Sequence, residues 1–152
     1  QIAIVPLEEK TYAILKPAQN MEGIADDEAL VFKVSRLENG TLNFDKTIPY
    51  KNIDEIKLDY KYFEIDAIVI PEVKSQSVKL VNKDNKGIKF DFLGFPSLAI
   101  WTKPNAPFVC LEPWIGYADH HDSNYQFIEK DNMQFLNPEC EASATYSITI
   151  LE

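Results

Sequence analysis

Apolar and polar positions along this chain change over within short runs, and the period of the change is mostly two. In the run from Gly87 to Phe92, Ile88, Phe90 and Phe92 alternate with Lys89 and Asp91. Near the C-terminal end, Ala142, Ala144, Tyr146, Ile148 and Ile150 alternate with Ser143, Thr145, Ser147 and Thr149. Such alternation puts one face of an antiparallel strand in a core and the other in water. The pattern predicts strands over 11–15, 29–35, 42–49, 63–70, 76–82, 87–93, 97–102, 108–114, 134–136 and 142–151. Turn residues separate them: Lys16-Pro17, Glu38-Asn39-Gly40, Lys83 to Gly87, Lys103 to Pro107 and Asn137-Pro138-Glu139. Segments 21–28 and 119–130 read as polar loops. The one stretch with a helical spacing is 52–62, where Ile53, Ile56 and Tyr60 stand at i, i+3 and i+7. The expected fold class is all-β, an antiparallel β-sandwich of roughly nine to eleven strands in one domain over residues 1–152.

The stretch 95–122 concentrates unusual chemistry, with both tryptophans, both histidines and Cys110. Its two apolar runs flank Lys103-Pro104-Asn105-Ala106-Pro107, which cannot continue a ladder because each proline removes a donor. In the second run Phe108, Cys110 and Glu112 share one face, and Val109 and Leu111 the other. Glu112 is therefore the position to explain. It either turns into solvent at a strand end where Pro113 breaks the ladder, the ordinary fate of a glutamate, or it lines a cleft where desolvation suits a carboxylate to proton transfer.

Charge narrows the partners. The net charge is -9, and the cations are 14 lysines and one arginine, Arg36. An acidic chain poor in arginine is unsuited to nucleic acid, anionic membranes or a phosphate clamp, and a neutral small molecule fits better. Cys110 and Cys140 have no metal-type spacing, so two free buried thiols in a reducing, cytoplasmic setting are expected. No apolar run is long enough to span a bilayer, and no leader is evident.

The segment WTKPNAPFVCLEPWIGYAD resembles the signature of the aldose 1-epimerase (galactose mutarotase) family, in particular its LacX-like branch. The matching positions are Trp101, Lys103, Pro104, Ala106, Pro107, Phe108, Val109, Cys110, Glu112, Pro113, Trp114, Gly116, Ala118 and Asp119. The resemblance implies a large, twisted galactose mutarotase-like supersandwich, of which this chain is the C-terminal part. It implies anomer interconversion of a neutral hexose of the galactose or glucose class, without cofactor or metal. Glu112 would be the general base. Asp66, in the run FEIDAIVI, would bind sugar hydroxyls as the family's aspartate does in a similar run; as a bare strand aspartate it would be satisfied by backbone donors. Trp101 and Trp114 are candidate platforms for the apolar face of a pyranose, although a tryptophan in a sandwich is more often core.

The family's acid is a histidine that precedes a Pro-Leu pair. Pro6-Leu7 resembles that pair, but QIAIV stands before it, so either the acid lies on a missing N-terminal portion or the chain is not a competent enzyme alone. A partial sandwich of this kind would self-associate, as a homodimer, or need a partner. His120 and His121 lie where the family has no acid. As a metal site they look poor, since adjacent residues of an extended chain point opposite ways. Two other readings remain: a non-catalytic carbohydrate-binding sandwich, and an interaction unit whose exposed sheet edge pairs with another polypeptide.

Overall fold

In a computed structural model of the protein the described residues are 4–5, 12–17, 32–38, 40–43, 48–50, 55–64 and 66–152, with side chains described for 40–43, 55–64 and 66–152. Twelve strands lie among them: β1 (Ile4–Val5), β2 (Tyr12–Pro17), β3 (Phe32–Glu38), β4 (Thr41–Leu42), β5 (Ile48–Tyr50), β6 (Glu55–Lys57), β7 (Ile68–Ile70), β8 (Ser75–Val81), β9 (Gly87–Asp91), β10 (Ser97–Trp101), β11 (Val109–Trp114) and β12 (Ser147–Leu151). They form two sheets with antiparallel ladders. The larger runs β1-β11-β10-β7-β3-β4, with β5 also on β3, and the smaller runs β12-β9-β8-β2-β6. No α-helix occurs among the described residues, and no helix is long and apolar enough to cross a membrane.

The core lies between the sheets and follows from the alternation. Ile68, Ile70, Leu98, Ile100, Val109 and Leu111 face inward from the larger sheet, and Ile56, Val78, Leu80 and Phe90 meet them from the smaller one. On the wet side of the smaller sheet Lys89 pairs with Asp91 at 2.6 Å. The β8–β9 hairpin closes through Asn82, whose Oδ1 accepts the N–H groups of Asp84 and Lys86 at 2.9 and 3.1 Å. Gly87 starts β9 because a Cβ there would lie 2.0 Å from the Leu80 carbonyl oxygen.

The Lys103–Pro107 link is a turn, with Ala106 N–H donating to Lys103 O at 2.9 Å and Asn105 at φ 66°. The buried Thr102 hydroxyl bonds the carbonyl of Phe108. The Tyr60 hydroxyl donates to Ala106 O at 2.6 Å, so the turn is held from outside as well.

Several sequence expectations change. Of the helical spacing at 52–62, residues 52–54 lie outside the described residues, and the rest yields β6 and then a short 3-10 turn, Tyr60–Phe63, capped by Asp59, which accepts from Lys61 N–H. Buried Ile56 and Leu58 alternate there with exposed Glu55, Lys57 and Asp59, so the period was two. The strand expected over 63–70 is only Ile68–Ile70. Residues 134–136 form no strand, and the last strand begins at Ser147 rather than at 142. Cys140 is exposed, although Cys110 is buried as expected. The 21–28 loop and Pro6-Leu7 lie outside the described residues.

Candidate functional site

Glu112 sits in the middle of β11, a strand with neighbours on both sides. Its inward neighbours Val109 and Leu111 belong to the core between the sheets, so Glu112 projects from the opposite, outer face with Cys110 and Trp114. Register builds the rest of this face. Glu112 lies opposite Ala99, which lies opposite Val69 of β7. Trp101 lies opposite Cys110, and Ser97 opposite Trp114. The half-buried carboxylate thus stands in a row floored by Ala99 and Val69, with Trp101 toward one end and Trp114 toward the other. Trp101 is steadied by Phe108, ring centroids 6.0 Å apart at 53°.

The chain leaving β11 roofs part of this floor. Tyr117 and Ala118 pack with Trp101, Trp114 and the buried residues Leu42, Ala67, Val69 and Ala99. The segment then docks beside β4, where Leu42 N–H donates to Asp119 O at 2.8 Å and His121 N–H to Leu42 O at 2.9 Å, in a parallel bridge. Burial first, then the charges of Asp131 and Glu72, push the Tyr117 phenol above its ordinary range. Tyr117 therefore remains a protonated hydrogen-bond donor, with Asp131 among its partners. Sequence reasoning missed this tyrosine, since its partner is brought by a loop and not by any local pattern.

Cys110 shares the Glu112 face but is no nucleophile. Burial, and secondly the Glu112 charge, raise its thiol pKa. Asp66 is half-buried just before β7, and its Oδ1 accepts Ala67 N–H at 2.7 Å. Since Ile68 lies opposite Ile100, Asp66 is at the Trp101 end of the row, two strands across from β11. His120 bridges to Leu42 of β4, and Leu42 lies in one buried cluster with Ala99, the register partner of Glu112, with Trp114 and Ala118 packed on it. The structure therefore gathers Glu112, Trp101 and Trp114, leaves Asp66 at the margin, and carries both histidines on the segment that follows the Tyr117–Ala118 roof. His120 also lines a cavity of about 410 Å³ with Tyr117, Tyr125, Glu129, Lys130 and Asp131, among others.

No protein-family model matches the chain. Two LacX proteins of Lactococcus lactis subsp. lactis, plasmid and chromosomal, are each 35% identical to it over 117 residues. The chain is LacX-like. The match takes in 75% of this chain and 39% of either relative, so the chain spans well under half their length. Solved structures agree on the fold of this LacX-like chain. A galactose mutarotase related enzyme from Lactobacillus acidophilus superposes with a TM-score of 0.72 at 22% identity, over 95% of this chain and 54% of that one. A galactose mutarotase-like protein from Lactobacillus casei gives 0.60 at 15%, over 92% and 44%. The LacX-like chain thus has an all-β, galactose mutarotase-like sandwich fold covering part of those proteins.

Proposed function

We propose that this LacX-like chain is the C-terminal, base-bearing part of an aldose 1-epimerase-like protein acting on a neutral hexose of the galactose or glucose class. One observation carries the reading: Glu112 is half-buried on the outer face of the larger sheet, between two indoles and over a floor of small residues. Ala99 and Val69 are already covered, so a pyranose would reach half-buried Glu112 beside the indoles, one of which can take its apolar face. Glu112 takes the proton from the anomeric hydroxyl while an acid protonates the ring oxygen. The C1–ring-oxygen bond breaks, the aldehyde turns about C1–C2, and closure on its other face returns both protons. Asp66, at the Trp101 end, holds sugar hydroxyls.

The acid is assigned outside this chain because the family's acid histidine precedes the Pro-Leu pair, whereas His120 and His121 follow the Glu112 motif. It belongs to the part of the fold that this chain does not match. The test is polarimetry on freshly dissolved α-D-galactose and α-D-glucose, comparing the chain with Glu112→Gln. Faster anomer equilibration that falls by about a hundredfold or more in the variant, the usual worth of a general base, supports Glu112 as base and requires an acid within this chain. No acceleration by either protein is the outcome expected of a base without its acid. Equilibration that is accelerated equally by both proteins overturns Glu112 as base.

The roof of Tyr117 and Ala118 and the partial coverage of the relatives favour a second reading, sugar binding without turnover. Galactose-dependent change in tryptophan fluorescence at an unaccelerated anomer exchange would select it.

A further inference from the structure

The expectation that adjacent histidines diverge holds for an extended run, and the chain leaves its bridge at His120 for a turn at His121 and Asp122. Asp119 and His121 are pinned to Leu42 by the two backbone hydrogen bonds already described, and Ser123 N–H donates to His120 O at 3.0 Å, closing a turn. That turn brings the His120 and His121 rings together, centroids 4.5 Å apart and planes tilted by 58°, and returns the Asp122 carboxylate to His120 Nδ1. One ligand atom from each of His120, His121 and Asp122 lies within 4.8 Å of the others.

We propose that His120, His121 and Asp122 form a binding site for a divalent transition cation of the zinc, nickel or copper class. Two imidazoles and one carboxylate are a donor set that such ions accept, with a position left for water. Magnesium and calcium, which take oxygen ligands, are disfavoured. Ligand atoms around a tetrahedral zinc stand about 3.4 Å apart, which follows from metal–ligand bonds near 2.1 Å, so small side-chain rotations close the site. The surroundings suit a cation. The adjoining cavity carries Asp119, Glu129 and Asp131 against Lys130, whose Nζ is 3.2 Å from Asp119 Oδ1. His121 and Asp122 are exposed, so an ion can enter without rearrangement of the core. Once bound, it clamps the crossing segment at the point where that segment meets the edge of the larger sheet. The proposal is independent of sugar chemistry at Glu112.

The test uses tag-free protein freed of metal by chelation, titrated with zinc chloride or nickel chloride in a calorimeter. One ion per chain is expected, and His120→Ala or His121→Ala weakens binding by about tenfold or more, as losing even an outer partner of a ligand does. Cys140→Ser leaves binding unchanged. A second readout needs no variant: the chain has only two histidines, and substoichiometric copper or nickel broadens the ring proton resonances of both. Zinc binding that is unaltered by His120→Ala/His121→Ala, that is lost in Cys140→Ser, or that is absent at about 100 µM metal overturns the proposal. So does copper that leaves both histidine resonances sharp.

Discussion

The β10–β11 pair and the segment from Asp122 to Leu151 are both rich in apolar residues, and the structure treats them oppositely. In β10 and β11 Leu98, Ile100, Val109 and Leu111 are fully buried, because strands lie on both sides and the smaller sheet lies below. In the later segment Phe135 is 74% exposed and Ile150 75% exposed, although Ile150 lies opposite Ile88 in a regular ladder. β12 is an edge of the smaller sheet, and among the described residues no strand of the larger sheet covers it. Hydrophobic content is therefore not what makes a core here; a facing layer is. An exposed edge with apolar side chains is also the kind of surface another polypeptide can join.

Substitutions sharpen the contrast. Leu111→Ala should destabilise by about 3 kcal/mol, as buried leucines do, whereas Ile150→Ala should stay within about 0.5 kcal/mol. Urea melts of both variants check this, and equal losses would mean that β12 is covered in solution. Gly87→Ala, at the hairpin that carries β12's ladder partner, should cost about 2 kcal/mol, since the added Cβ meets the Leu80 carbonyl.

The two thiols report the same division at smaller scale. Exposed Cys140 should react quickly with a thiol reagent and buried Cys110 only after denaturation. The sign of the pH effect follows from the raised thiol pKa of Cys110. Its contribution to stability is complete below the ordinary thiol pKa of 9.0 and is lost as the pH rises past that value. A Cys110→Ala variant should therefore lose less stability than the parent between neutral pH and the alkaline range above 9.0. Glu112→Gln should move the same alkaline loss only slightly, because the carboxylate is the lesser cause.

Much of the centre was legible in the sequence. The alternation of Phe108 to Glu112 and of Ile88 to Phe92 reports which side chains share a face, and the sheets respect both. What alternation cannot report is whether a layer exists to cover that face, so 134–136 and 142–146 read as half-buried strand and are exposed coil. At 52–62 a three-point helical spacing competed with the period of two set by Ile56 and Leu58, and pairing of β6 with β2 decided it. Of the site, Glu112 and its two indoles could be read from the motif around them. Tyr117 over the row, its partner Asp131 and the convergence of the histidines depend on where one crossing segment lands.

That crossing also sets an order of events. The Leu42 N–H bond to Asp119 O joins a short strand early in the chain to the segment that follows β11. Its closure is expected to follow the assembly of β3, β7, β10 and β11, since closing a loop over so much chain costs less once the intervening pairs exist. The same bond is then among the first to open in the native state, because it ends in a single bridge rather than a ladder. The amides of Leu42 and His121 should exchange with solvent well ahead of those of β10, and their exchange rate measures how often the roof over the Glu112 row lifts.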